Sequence, residues 1–366
     1  MSLKAGIVGL PNVGKSTLFN AITKQQALAA NYPFATIEPN VGVVTVPDKR
    51  LDFLNDMYKP KSLVPTAYEF IDIAGLVKGA STGEGLGNKF LSHIREVDAV
   101  VEVVRCFENS DITHVEGGVD PIRDIEIINT ELILSDLEIV ENRIAKMGKK
   151  AQMTKDKQEL LEIGTLNKCK EALENNIPLR RIDFNDDETL VMRGFQFITS
   201  KPIIYVTNVS EEDIAVGRNE YTDRVSKYAD EEGAGVIVMC ARIEEELASL
   251  SNEDRELFMT DLGITNSGLD KLIFETYDLL GLATFFTAGT DECRAWTFKK
   301  GMKAPKCAGI IHTDFEKGFI RAEVMSYDDL VTYGTELKVK EAGKVRLEGK
   351  EYLMQDGDIV YFRFNV

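Results

Sequence analysis

The sequence is short of the residues that mark several protein classes. Its five cysteines, Cys106, Cys169, Cys240, Cys293 and Cys307, are scattered and odd in number, with no CxxC pair. That excludes a disulfide framework and fits a reducing compartment. Three histidines, His93, His114 and His312, are too few and too far apart to suggest a zinc site. Basic residues number 43 against 60 acidic ones, a net charge of −17. A body coated for unspecific nucleic-acid binding is thereby excluded, although a local basic patch is not. No apolar run reaches the roughly 20 residues of a membrane span. The N-terminus passes from a short apolar stretch straight into a glycine-rich loop, unlike a signal peptide. A soluble, cytoplasmic protein is expected. What the chain does have is 44% hydrophobic residues over 366 positions, enough for a sizeable core in two or three domains.

The apolar pattern predicts buried strands at Ala5–Val8, Gly42–Val46, Tyr68–Ile73 and Ala99–Val104, with a helix at Lys15–Thr23. Strands alternating with helical stretches point to an α/β fold with a mostly parallel sheet. Near Asp120 the texture changes. Ile133, Leu137, Val140, Ile144 and Met147 step by four, three, four and three residues, a seam of about two heptads. A polar break at Lys149–Asp156 precedes a second helix at Gln158–Glu174, so a two-helix arm is expected, either packed or projecting. Strand texture returns at Pro202–Asn208 and Val236–Cys240, which makes the arm an insertion, and a helix at Gly268–Leu280 would close the domain. The expected division is 1–122 with 200–280 as the main α/β domain, 123–199 as the inserted arm and 281–366 as a small mixed domain. In the last, Phe319–Val324 and Ile359–Phe364 read as strands, and Gln355–Asp358 as a turn with Gly357 at positive φ.

The strongest chemical signal is Gly9-Leu-Pro-Asn-Val-Gly-Lys-Ser, a GxxxxGK[ST] phosphate loop between a predicted strand and a predicted helix. Backbone N–H groups of Asn12, Val13, Gly14 and their neighbours, through Thr17, can cradle phosphates. Lys15 supplies charge to the β- and γ-phosphates, and the Ser16 hydroxyl suits Mg²⁺. Asp72-Ile-Ala-Gly75 follows a strand. Its aspartate can hold Mg²⁺ through water, and Gly75 can offer its N–H to a γ-phosphate. Thr36, in the loop after the first helix, is a candidate to complete the Mg²⁺ shell. The glycines from Gly79 to Gly87 suggest a switch loop.

Asn208-Val-Ser-Glu211 follows the strand where GTPases of this type carry NKxD. Val209 replaces the lysine and Glu211 the aspartate that accepts two hydrogen bonds from guanine. Adenine offers a donor at N6 and an acceptor at N1, so a carboxylate cannot pair with it in two-pronged fashion. Guanine preference should be weakened, unless Glu211 does the same work through its longer arm.

Taken with Asn31-Tyr-Pro-Phe-Ala-Thr-Ile-Glu-Pro-Asn, Arg105-Cys-Phe-Glu and His312-Thr-Asp-Phe-Glu-Lys-Gly-Phe-Ile-Arg-Ala-Glu, these motifs resemble the YchF/Obg-like ATPase family from Ala5 to Val366. The resemblance implies a Ras-like P-loop NTPase domain, a coiled-coil arm and a C-terminal TGS domain of β-grasp type. It further implies a preference for ATP and association with ribosomes, with Asn208 and Glu211 as the base-recognition pair and Val209 where members often have methionine or leucine. A Ras-like glutamine is missing after DxxG, where Leu76 stands, so hydrolysis should be slow. Asn12 matches the asparagine of K⁺-using relatives, and K⁺ is the second expected ion; shaping the loop is its alternative role. His114, in a loop, could swing in to position water, or it is simply a surface histidine. Lys299, Lys300, Lys303 and Lys306 offer a contact for ribosomal RNA, or are only solvated. His312 reads as structural or RNA-contacting.

The expected function is therefore a slow, Mg²⁺-dependent ATPase that switches on the ribosome, touching ribosomal RNA through the TGS domain and the arm. A GTPase of the same fold, or a nucleotide-gated binding module, is the alternative. The short seam does not fix an oligomeric state.

Overall fold

The computed structural model describes residues 3–28, 40–73, 86–115, 117–154 and 156–365. They fall into two compact units. The first takes the described residues within 1–28, 40–43 and 69–272, and the second those within 44–68 and 273–365.

Strands β1 (Lys4–Val8), β2 (Val41–Thr45), β4 (Ala67–Asp72), β5 (Ala99–Arg105), β6 (Ile203–Asn208) and β7 (Gly235–Met239) form one sheet in the order β2-β4-β1-β5-β6-β7. The pairs β4/β1, β1/β5, β5/β6 and β6/β7 are parallel. Strands β5 and β6 are buried along their whole length, as near-continuous apolar runs in a sheet covered on both faces should be. Helices α1 (Lys15–Leu28), α3 (Leu86–Glu96), α8 (Glu220–Glu232) and α9 (Ala241–Leu247) belong to this unit. Because β1 has neighbours on both sides drawn from later in the chain, the strand order reverses there. The carboxyl ends of β1, β5, β6 and β7 then open onto one crevice.

The inserted arm is built from α4 (Pro121–Thr154) and α5 (Lys157–Glu174), followed by the short α6 (Asp186–Arg193). Seam residues Ile133 and Val140 are buried against Leu166, Cys169 and Leu173 of α5, with Leu137 and Ile144 packed beside them. Another side of α4 buries Ile125, Ile128 and Leu132. The polar break expected at Lys149–Asp156 is narrower than that: α4 continues to Thr154. Lysine, alanine, glutamine and methionine are good helix formers, so a polar run need not be coil. Asp156 caps α5, accepting from the Gln158 and Glu159 amides at 2.8 and 3.1 Å. Asp136 of α4 is fully buried and accepts from the Ile198 and Thr199 amides at 3.1 and 2.8 Å, which fixes the chain's return from the arm.

The second unit is not contiguous in sequence. Strands β3 (Ser62–Val64), β8 (Leu282–Thr287), β9 (Glu292–Lys299), β10 (Phe319–Ser326), β11 (Arg346–Glu348) and β12 (Asp358–Phe364) form a mixed sheet in the order β11-β10-β12-β8-β9-β3. The parallel pair β12/β8 at its centre is flanked by antiparallel partners, and α12 (Ala304–Ile311) and α13 (Thr313–Lys317) pack on it, a β-grasp arrangement. Helix α2 (Lys49–Tyr58) inserts Leu51 and Leu54 into a core with Phe286, Cys293, Met325 and Ile359. Arg50 donates to Asp356 at 2.6 Å in the expected turn, where Gly357 has φ +85°. The β8–β9 hairpin and β3 lie outside the strands expected from the apolar pattern.

Candidate functional site

The phosphate loop runs from the end of β1 into α1 as expected. Asn12 (φ +64°) and Gly14 (φ +100°) take left-handed conformations, and glycine at the second is required twice over. A Cβ on Gly14 would stand 2.2 Å from Asn208 Nδ2. The loop forms one wall of an open cleft of about 1400 Å³, roomy enough for a nucleoside triphosphate. The other walls are the segment after β5, the segment after β6 and the start of α9.

Asn12, Gly14, Lys15, Ser16, Thr17, Asn208, Val209 and Glu211 all line this cleft. Val13 is buried and does not line the cleft; its carbonyl accepts from Asn208. Lys15 forms an ion pair with Asp72 at the end of β4, so the two expected phosphate and Mg²⁺ groups are adjacent. Thr36, Gly75 and the 79–85 part of the expected switch loop lie outside the described residues, while Leu86 and Gly87 open α3.

Asn208 has a role that its motif position alone does not express. Its Nδ2 donates to the Val13 carbonyl at 2.8 Å and its Oδ1 accepts from the Ala241 amide at 2.9 Å. The buried side chain thus ties the phosphate loop to the start of α9, with one Nδ2 hydrogen left over. The Val209 side chain is also buried, and its amide donates to Met239. Glu211 is the first residue of α7 (Glu211–Ile214), capped by Ser210, and its Oε1 meets Arg242 Nη1 at 3.2 Å. Arg242 reaches Glu246 as well, at 3.4 Å. It escapes a sequence reading, although its place just after the carboxyl end of β7 is the available signal.

Arg105, quoted above in a motif but given no role from the sequence, is the last residue of β5 and almost wholly buried. Its guanidinium donates to the carbonyls of Phe107, Asn109 and Ile112 at 3.1, 3.1 and 3.0 Å, pinning the wall that faces the nucleotide cleft. Burial lowers its pKa. Burial pushes the Cys106 thiol well up, and all five cysteines are buried and free, as packing residues are.

His114 is neither a surface residue nor a lining one. It is buried, and its Nε2 lies 2.8 Å from Asp124 Oδ2 in the first turn of α4. The preceding residue, Thr113, accepts from Asn12 Nδ2 at 3.1 Å. The expected swinging loop is therefore fastened at both points.

In the second unit, Lys300, Lys303 and Lys306 each sit on a carboxylate, of Asp278, Glu351 and Glu316. His312 caps α13 through Nδ1 and the Asp314 amide. Among the described residues no three His, Cys, Asp or Glu side chains gather as a metal cluster, and no helix is long and apolar enough to cross a membrane.

Comparison with known proteins brings the two units together. Residues 4–168 match the family model described as 50S ribosome-binding GTPase, and residues 282–365 match the YchF-GTPase C-terminal model, described as a protein of unknown function. Over the full length of both chains the sequence is 60% identical to the "Ribosome-binding ATPase YchF" of Bacillus subtilis (strain 168) and 53% identical to that of Escherichia coli O157:H7. The solved YchF GTPase of Schizosaccharomyces pombe superposes with a TM-score of 0.91 at 45% identity, covering 99% of this chain and 98% of that one.

Proposed function

Since the chain belongs to the YchF family, we propose that it binds ATP in the cleft between the phosphate loop and Glu211, hydrolyses it to ADP and phosphate, and works on the ribosome as a nucleotide-dependent switch. Relatives matched along their whole length are named ribosome-binding ATPases. The observation in this molecule that carries the choice of base is the Glu211–Arg242 pair. A carboxylate that must accept two bonds from guanine is already engaged, and the lysine of the guanine motif is a buried valine.

Lys15 would exchange Asp72 for the β- and γ-phosphate oxygens when nucleotide enters, moving one cation between two anionic partners. The oxygen donors of Ser16 and Asp72 suit Mg²⁺, with Thr36 completing the set, and bound Mg²⁺ would neutralise phosphate charge. Gly75 would offer its N–H to the γ-phosphate. Asn12 Nδ2 is spent on Thr113, which orients Oδ1 as a ligand for K⁺. Leu76 cannot orient water, so turnover is slow. For His114 to reach a water it must first leave Asp124. Lys300, Lys303 and Lys306 would contact ribosomal RNA only by giving up their carboxylates, whereas Lys299 has no ion pair among the described residues.

A GTPase reading keeps one support: Glu211 is half exposed, so its arm is free to turn. Calorimetric titration of the purified chain with ATP and with GTP, in K⁺ and Mg²⁺, decides between them. Tighter ATP binding is expected, and equal or tighter GTP binding overturns the base assignment.

A further inference from the structure

We infer that Arg105 is a positioning residue for Asn12. By fixing the segment after β5 it holds the Thr113 carbonyl in place, and that carbonyl sets the direction of the Asn12 carboxamide in the nucleotide cleft. This rests on the ATP hydrolysis proposed above and adds a residue that acts on it without touching nucleotide.

Residues 108–113 have little of their own to hold them. Each is exposed, and together they lie in neither a helix nor a strand. A segment with no core side chain is ordinarily among the loosest parts of a fold. Arg105 supplies an anchor from within the sheet. Its guanidinium takes the carbonyls of Phe107, Asn109 and Ile112, and its Cζ lies 4.8 Å from the centre of the Phe107 ring. Lesser ties run from the Tyr221 hydroxyl to Glu108 at 2.6 Å and from the Asp111 amide to Asn109 Oδ1 at 2.8 Å. The carbonyl next in the chain after Ile112 is that of Thr113, which accepts from Asn12 Nδ2 at 3.1 Å.

Packing alone does not call for arginine here. Among the described residues its hydrogen-bond partners are neutral carbonyls and none is a carboxylate. A buried charge is thus kept without a paired counter-charge, which is costly. A side-chain amide has two N–H donors, whereas the planar guanidinium has five and reaches three carbonyls in different directions.

The phosphate loop rests on the same strand. A Cβ on Gly9 would stand 2.8 Å from the Val103 carbonyl, two residues before Arg105. Asn12 lines the cleft with a left-handed backbone, and the Thr113 carbonyl is the hydrogen-bond partner of its side chain among the described residues. Without that bond the carboxamide is free to turn, and a misplacement of about 1 Å can cost on the order of a hundredfold in rate.

The test measures kcat and KM for ATP hydrolysis in wild type, Arg105→Lys, Arg105→Met, Asn12→Gly and the two double variants. Glycine at 12 keeps the left-handed backbone and removes only the side chain. Arg105→Met should lower kcat about tenfold or more with KM within about threefold, since Lys15 and the amides of the phosphate loop are untouched. Arg105→Lys keeps the charge and some donors, and should lose less. With glycine at 12, either change at Arg105 should alter kcat by less than about twofold, because the group it positions is gone. Should Arg105→Met fail to fold, Arg105→Lys carries the same cycle. The Asn12 side-chain amide, assigned in NMR spectra by its absence in Asn12→Gly, reads the link without turnover and should shift in both Arg105 variants. Unchanged kcat in the Arg105 variants overturns the inference. So do losses that multiply in the double variants, or an amide signal that stays where it is. A wild-type chain that does not hydrolyse ATP would instead sink the functional reading, and the amide signal would still decide the link.

Discussion

Asn208 holds Val13. Its amide nitrogen donates to the Val13 carbonyl at 2.8 Å while its oxygen accepts from Ala241, so the shape of the phosphate loop depends on a side chain 195 residues away. Asn208→Ala leaves a buried carbonyl and a buried amide without partners, at about 1–3 kcal/mol each. ATP and GTP affinities should fall together, by about tenfold or more. Gly14→Ala should do the same, since its Cβ meets Asn208. Titration of both nucleotides checks this, and a loss confined to one nucleotide would show that Asn208 selects the base instead.

Lys15→Ala should abolish measurable nucleotide binding. Charge-assisted bonds to phosphate contribute about 1.5–3 kcal/mol apiece, and Lys15 is placed to make more than one. The variant also strips Asp72 of its cation, so the free protein should melt at a slightly lower temperature. Calorimetric titration and thermal unfolding read the two effects separately, and retained ATP affinity would remove Lys15 from the site.

Arg242→Ala should move base selectivity rather than overall affinity. Freed of Arg242, Glu211 regains a carboxylate oxygen for guanine. Both side chains are more than half exposed, and exposed pairs contribute about 1 kcal/mol at most. The GTP-to-ATP affinity ratio should therefore rise by no more than about fivefold. A falling ratio would mean that Arg242 itself holds guanine.

Glu102 on β5 is buried, and among the described residues its Oε2 has no hydrogen-bond partner. Burial raises its pKa well above the ordinary 4.5, opposed by nearby Arg180 and reinforced by Glu232 and Asp124. The fold thus favours the protonated acid. Its contribution is complete below the ordinary glutamate range and is lost as pH rises through the folded value. Glu102→Gln keeps the shape and cannot ionise. Unfolding temperatures of variant and wild type should be close at acidic pH, with the variant ahead by pH 8. A gap that narrows as pH rises would contradict this.

Much of the site is legible in the sequence because its parts are local. The phosphate loop has a fixed spacing that only one backbone path satisfies, and Gly14 at φ +100° is that path. The seam of Ile133, Leu137, Val140 and Ile144 reports its own packing through periodicity, and it lies in the core between α4 and α5. Arg105, Arg242 and the burial of His114 are of another kind. Each depends on where a loop turns back, and neither composition nor period records that. His114 looks like a loop histidine until the fold brings Asp124 to within 2.8 Å. Residues 44–68 give no local sign that they complete the sheet of the C-terminal unit.

Strand β3 pairs in parallel with β9, and Lys61 meets Asp291 across 230 residues of chain. At about 5–20 residues per second, the ribosome delivers the partner strand roughly 12 to 46 s after β3 has been made. Through that interval Leu51 and Leu54 have no core to enter, so the nascent chain carries an unfinished sheet edge and an uncovered apolar helix face until translation is nearly complete.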